Sequence, residues 1–417
     1  MGRERIQILD GGMGTTLESL GHSVYSDLWG SELLYTNPSA MQSIHKGYVE
    51  AGADLVETCT YQLTPANLQS YLSSSSSTTN SSEEYKEQSS SSSSSIIRSS
   101  VHVVHDSFHE EPGVVFSCGP YGSTLKPGAE YSGIYPSPYG PNDPNDPSDS
   151  SETKTDKVNY FSTTEEGKAQ EENAIRHLTR FHLDKLICLL DDDEGEVWKK
   201  IDWIAFETIP LLYEIKAIRR CMKTLNEIAR NKYTNGHSQY DGTEKQWYIK
   251  KFWITCPFPN GQHPQLTPEG KNISIDTLLH TLLNPHEDQE IPNGIGINCT
   301  NPLYVPQLSS QFTKQLNKIR RAKQEQPVFV LYPDGGQVYD VHTKSWSTPL
   351  DSPGNAMEWS KGVLEVVHSI EQDKNDDDQY TWDGVIVGGC CKTSFGEIKA
   401  LKIGLDELYG MRFANNI

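Results

Sequence analysis

Residues 294–302 read GIGINCTNP, and their first six close on an amide and a thiol. Gly294–Cys299 is a short, continuously apolar run, and Tyr304–Arg321 behind it carries a helical pattern. Runs of this length, apolar at consecutive positions, suit parallel strands buried on both faces. The same unit recurs along the chain. Strand-like runs fall at Ile6–Leu9, Asp54–Thr58, Val114–Cys118, Trp203–Glu207, Phe252–Cys256, Gly294–Cys299, Val328–Tyr332 and Val385–Val387. Helical patterns follow them. Ser39–Ala51 starts behind Asn37-Pro38, and Ile97, Val101, Val104 and Phe108 recur at helical spacing, as do Leu178, Phe181 and Lys185 with Leu186. Leu211–Ala229, Ile273–Leu283, Met357–Ile370 and Phe395–Leu408 complete the set. Eight strand-then-helix units predict a (β/α)8 TIM barrel, with an open doubly wound sheet as the alternative. One barrel domain then takes up the whole of 1–417.

Two stretches interrupt the plan. Residues 73–95 are dominated by serine, a composition with too little apolar surface to order itself, and read as a disordered insertion. Residues 136–159 are rich in Pro, Asp, Ser and Asn and read as a long loop, either a lid or a solvated connection. Both lie between a strand and the following helix, which in a barrel is the active-site face.

The chain's formal charge is −20, from 36 basic and 56 acidic residues. That balance disfavours nucleic acid or an anionic membrane as partner, because both would be repelled. No apolar run approaches the ~20 residues of a membrane span. The opening MGRERIQILDGG enters a strand at once, which predicts no secretion signal and a cytoplasmic location. Eight cysteines in 417 residues do not make a disulfide scaffold.

In such a barrel chemistry gathers at the C-terminal strand ends. Those ends read Asp10-Gly11-Gly12, Glu57-Thr58-Cys59-Thr60, Cys118-Gly119-Pro120, Glu207-Thr208, Cys256-Pro257, Asn298-Cys299-Thr300, Asp334-Gly335-Gly336 and Gly388-Gly389-Cys390-Cys391. Six of the eight cysteines lie among them. Thiolates gathered round a cavity suit Zn2+, and thiolates on separate strand ends, without CxxC knuckles, point to a catalytic site with an open fourth position. Position leaves Cys59, Cys118 and Cys256 competing with Cys299, Cys390 and Cys391. The adjacent pair Cys390-Cys391 is the best anchor, since Gly388 and Gly389 let the backbone turn both thiols to one centre.

Taken together, LDGGMGTTLE (9–18), NPSAMQSIHKGYVEAGADLVETCTYQLTP (37–65), CGPYGSTLKPGAEYSGIY (118–135), IAFETIP (204–210), GIGINCTNP (294–302) and GGCCKTS (388–394) closely resemble the zinc-dependent homocysteine S-methyltransferases. The resemblance spans nearly the whole chain outside the insertions and implies a (β/α)8 barrel. It implies zinc on Cys299, Cys390 and Cys391, which would be both metal ligands and catalytic groups. Asp10 and Glu207 would lie near the homocysteine amino group. The expected reaction moves a methyl group from S-methylmethionine or S-adenosylmethionine to homocysteine, giving methionine. A betaine-type donor and a non-catalytic zinc- or thiol-binding barrel are the alternatives. The partners expected are small-molecule substrates; oligomeric state is not legible. Departures fall at the rim, in Lys392-Thr393-Ser394-Phe395 and in Asp334-Gly335, and bear on donor preference.

Overall fold

The computed structural model describes residues 3–24, 26, 28–75, 83–108, 112–143, 157–191, 194–234, 247–319, 325–340, 345–349, 352–375 and 377–410. Eight parallel strands form its centre: β1 (Ile6–Ile8), β2 (Leu55–Glu57), β3 (Gly113–Cys118), β4 (Ile201–Phe206), β5 (Lys251–Cys256), β6 (Gly294–Asn298), β7 (Val328–Tyr332) and β10 (Val385–Val387). Their spatial order is β1-β10-β7-β6-β5-β4-β3-β2. A parallel bridge between Leu9 and Leu55 closes the ring. Two hydrogen bonds support that seam, Asp54 N–H to Ile8 O (2.7 Å) and Asp10 N–H to Leu55 O (3.1 Å). The barrel predicted from the sequence is therefore the fold, and the open sheet is not.

Period-two alternation sorts each strand's side chains. Leu9, Leu55, Val115, Trp203, Ala205, Trp253, Val330, Tyr332 and Ile386 pack into one cluster that fills the barrel. Their neighbours Ile8, Val56, Val114, Phe116, Ile204, Phe206, Ile254, Ile297, Leu331 and Val387 belong to the larger core between strands and helices. Gly296 is the tightest position inside: a Cβ there would meet Val330 O at 1.8 Å, so only glycine lets β6 and β7 lie together.

Helix Pro38–Ala51 starts on an Asn37 cap and stops at Gly52, whose φ is 109°. Helices Glu165–Leu186, Leu212–Thr234, Ile275–Leu283, Val305–Ile319, Ala356–Gln372 and Phe395–Leu408 match their sequence patterns. Phe108 lies beyond its helix, Glu83–His105, which ends three residues earlier. A hairpin, β8 (Val338–Asp340) with β9 (Ser345–Ser347), was not legible, because its strands, VYD and SWS, carry no unbroken apolar run. Of the serine tract 73–95, residues 73–75 end helix Pro65–Ser75 and residues 83–95 open helix Glu83–His105, while residues 76–82 lie outside the described ones. Of the loop 136–159, residues 144–156 lie outside as well. Its two ends are tied together, since Asn142 Nδ2 donates to Tyr135 O and Val158 O, each at 2.8 Å. Among the described residues no helix is long and apolar enough to cross a membrane.

Candidate active site

Above the apolar filling, the inward positions turn polar. Counting on by twos from inward residues, β2 gives Leu55 then Glu57, β3 gives Val115 then Ser117, and β4 gives Ala205 then Glu207. β7 continues from Val330 through Tyr332 to Asp334. Of these, Glu57, Ser117, Glu207 and Tyr332 line a cavity of about 300 Å³, whose lining also includes Glu130, Cys299, Cys390 and Cys391. Trp29, Tyr61, Tyr131, Tyr332 and Trp346 supply its aromatic wall, the last from the hairpin.

Alternation and the strand-end turns together sort the cysteines: Cys299 follows Ile297 on the outward parity, and its left-handed backbone turn brings it to the cavity. Cys118 and Cys256 follow Phe116 and Ile254 on the outward parity and are buried in the core between strands and helices. Burial pushes the Cys118 thiol up to about 11 and raises Cys256 further. Cys59 borders the cavity, but its sulfur is not among those that converge. Cys299, Cys390 and Cys391 are brought together, with all three sulfurs within 4.8 Å of one another. The sulfurs of Cys299 and Cys390 are in contact, and their Cα atoms are 5.5 Å apart.

Local backbone explains the convergence. Cys299 has φ 45° and Thr208 has φ 61°, left-handed conformations that cost roughly 1 to 3 kcal/mol each in non-glycine residues and turn the chain sharply at a strand end. The Cys390-Cys391 turn is laced to both flanking strands. Cys390 N–H donates to Pro333 O (2.8 Å), Gly335 N–H to Cys391 O (2.8 Å) and Gly389 N–H to Asp10 O (3.0 Å). Gly12 permits this, because a Cβ there would sit 2.3 Å from Cys390 O.

The donor set suits a thiophilic divalent ion. Without a cation, burial pushes the Cys391 thiol up to about 12, with Asp334 and Glu130 adding to the rise. A bound cation reverses that penalty and holds the sulfurs as thiolates.

The carboxylates are buried with few partners. Asp10, 1% exposed, accepts the Glu57 N–H on Oδ2 at 3.0 Å, while its Oδ1 has no hydrogen-bond partner among the described residues. Burial holds its pKa well above the usual carboxylate range, and Glu207 nearby adds to the rise. Glu207, 6% exposed, accepts the Ser117 hydroxyl. Burial lifts it to about 7, against the lowering effects of Ser117 and Lys185. Asn298 ties β6 to β4, accepting the Thr208 N–H (2.8 Å) and donating to Thr208 Oγ1 (2.7 Å). At the rim, burial raises Asp334 to about 6, and its Oδ1 accepts the Gly336 N–H at 2.7 Å. Lys392 Nζ lies 3.6 Å from Glu18 and 4.7 Å from the centre of the Trp346 ring.

Lys185, Glu57 and Glu130 were not singled out by the sequence reading. Lys185 sits in the helical pattern Glu165–Leu186, where its register reads as amphipathic packing. It is 4% exposed and donates to Thr60 O and to Ser117 O, the latter at 3.0 Å, beneath Glu207. Glu57 had a signal available: a carboxylate two residues after an inward leucine must face the barrel.

A model of the homocysteine S-methyltransferase family matches residues 7–404. The betaine-homocysteine S-methyltransferase of Drosophila melanogaster is 26% identical over 383 residues, covering 91% of this chain and 88% of that one. Homocysteine S-methyltransferase 1 of Brassica oleracea is 26% identical over 398 residues, covering 94% and 91%. Among solved structures, the metallated form of the homocysteine methyltransferase MmuM from Escherichia coli aligns with a TM-score of 0.53 at 19% identity, covering 96% of both chains. At that identity the likeness speaks for the fold.

Proposed function

The chain belongs to the homocysteine S-methyltransferase family and methylates homocysteine; from that premise we propose that a sulfonium compound is the donor and that Cys299, Cys390 and Cys391 hold a zinc ion. The observation that carries the zinc reading is the convergence of three thiols from two strand ends on one wall of an acidic cavity. Zinc held there would supply a Lewis acid favouring the thiolate form of homocysteine, at a pH where a free thiol, with pKa about 8.5, is mostly protonated.

This chain's residues do the rest. Asp10 Oδ1 and the Glu207 carboxylate are the acceptors offered to the homocysteine ammonium, and they fix the direction from which its sulfur reaches the thiol cluster. Lys185 stabilises the ionised form of Glu207 and so readies it for a cation. The aromatic wall excludes water and presents ring faces to a positively charged methyl donor. In the transfer, a bond forms between the homocysteine sulfur and the methyl carbon as the donor's sulfur–methyl bond breaks. The electron pair of that bond returns to the donor sulfur, and no proton moves. Positioning and electrostatics therefore carry the step.

The acidity of the cavity favours a donor with net positive charge. S-methylmethionine and S-adenosylmethionine each carry a sulfonium besides an ammonium and a carboxylate, whereas betaine's two charges cancel. The betaine reading draws its support from the Drosophila relative. A cytoplasmic location suits the chemistry, because three thiols must stay reduced to hold a metal. The experiment is to incubate zinc-loaded protein with homocysteine and each donor in turn, and to measure methionine. Methionine from betaine alone would overturn the sulfonium reading.

A further inference from the structure

The barrel mouth holds carboxylates that the proposed substrate contacts do not use, and Glu57 is the one fixed beside Asp10. Glu57 is the last residue of β2, and the alternation that puts Leu55 in the barrel filling and Val56 outside it brings Glu57 back inside. Its backbone N–H donates to Asp10 Oδ2, so it is fixed beside Asp10. Its Oε1 is buried with no hydrogen-bond partner among the described residues, and Asp10 Oδ1 is in the same condition. Glu57 lines the cavity together with Glu207 and the three cysteines. Burial raises its pKa well above the usual range, and the charges of Glu207 and Asp10 raise it further.

Three carboxylates crowded out of water cannot all ionise without a cation among them. Lys185 is the lysine at their base, and its ammonium is committed to the carbonyls of Thr60 and Ser117. What is lacking is a small cation with three donors. A primary ammonium carries three N–H groups on one side of the nitrogen, and Asp10, Glu57 and Glu207 offer three acceptors.

We infer that Glu57 is the third member of the ammonium cage for homocysteine, so that the site reads the α-amino group with three carboxylates. The inference rests on the cavity being the homocysteine site. It makes Glu57 a specificity residue: a thiol lacking the α-ammonium leaves three buried acids uncompensated and is rejected.

The test compares homocysteine with 4-sulfanylbutanoate, its analogue without the amino group, using the zinc-loaded full chain and one donor. The readout is the ratio of the two kcat/KM values. Glu57→Gln should lower that ratio by roughly 10- to 100-fold, the range expected for one charge-assisted hydrogen bond. Glu57→Asp, which keeps the charge but withdraws it by a methylene, should lower it less. The second variant also preserves the measurement if the first fails to fold. A merely structural Glu57 would depress both substrates alike, and a ratio within twofold of wild type in either folded variant overturns the inference. If wild-type protein methylates neither thiol with any donor, the homocysteine reading itself falls, and Glu57 with it.

Discussion

Replacing Glu207 by Gln separates binding from stability, because the structure predicts opposite signs for the two. Gln keeps an oxygen for the Ser117 hydroxyl and fills the same volume, so the change removes a charge and little else. Loss of a charge-assisted hydrogen bond to the homocysteine ammonium is worth roughly 1.5–3 kcal/mol, which raises the KM for homocysteine by about one to two orders of magnitude. Stability follows from the carboxyl's titration. Unfolded, it ionises near 4.5; folded and buried, it holds its proton to about 7. Between those values the folded state binds the extra proton, so the group's contribution is fully present below 4.5 and is lost as pH rises through 7. That span corresponds to roughly 3 kcal/mol at about 1.4 kcal/mol per pH unit. The substrate-free Gln variant escapes this cost. It should therefore melt higher than wild type at pH 8, with the difference vanishing towards pH 5. Wild-type affinity for homocysteine should also strengthen as pH rises through about 7, relative to the variant. Melting curves across pH and initial-rate kinetics on one variant suffice. An unchanged homocysteine KM together with a lowered Tm would refute the reasoning and make Glu207 a structural residue.

Cys390→Ser should lose most of the roughly one zinc expected per chain, whereas Cys118→Ser and Cys256→Ser, on the outward parity, should keep it; elemental analysis of the three variants decides. Lys185→Met should move the pH dependence of the homocysteine KM upwards, because Glu207 loses the charge that favours its ionisation. It should also cost about 1–3 kcal/mol in denaturant titration, because the carbonyls of Thr60 and Ser117 lose their donor.

Strand positions were legible because parallel strands buried on both faces leave unbroken apolar runs, and none of the eight needed its partners to be recognised. The site was legible as strand ends, and as far as the cysteines Cys299, Cys390 and Cys391 through a family resemblance. What separated those three from Cys118 and Cys256 is the backbone turn at the strand end: Cys299 shares the outward parity through Ile297, but its φ of 45° swings it to the cavity, and no residue type in the sequence announces that turn. Lys185 was opaque for a different reason. A lysine at a core-facing helical position looks like a misplaced surface residue until the two carbonyls it serves, more than 60 residues away, are brought beneath the carboxylate it stabilises. The hairpin carrying Trp346 was opaque because VYD and SWS are mixed in polarity and lack the unbroken apolar run of the barrel strands.

The ring closes between β1 and β2 through a single bridge and two backbone hydrogen bonds, and Asp10 stands on that join with one oxygen committed to the second strand. A ligand gripped by Asp10 on one side and by Glu57 or Glu207 on the other would stitch the first strand of the chain to its neighbours. Breathing of the join would then have to break ligand contacts as well as backbone ones, so occupancy would resist opening by RT ln(1 + L/Kd), growing with the ligand concentration L. Homocysteine held in this position would act as a fastener of the barrel, and β1 would be the piece it fastens.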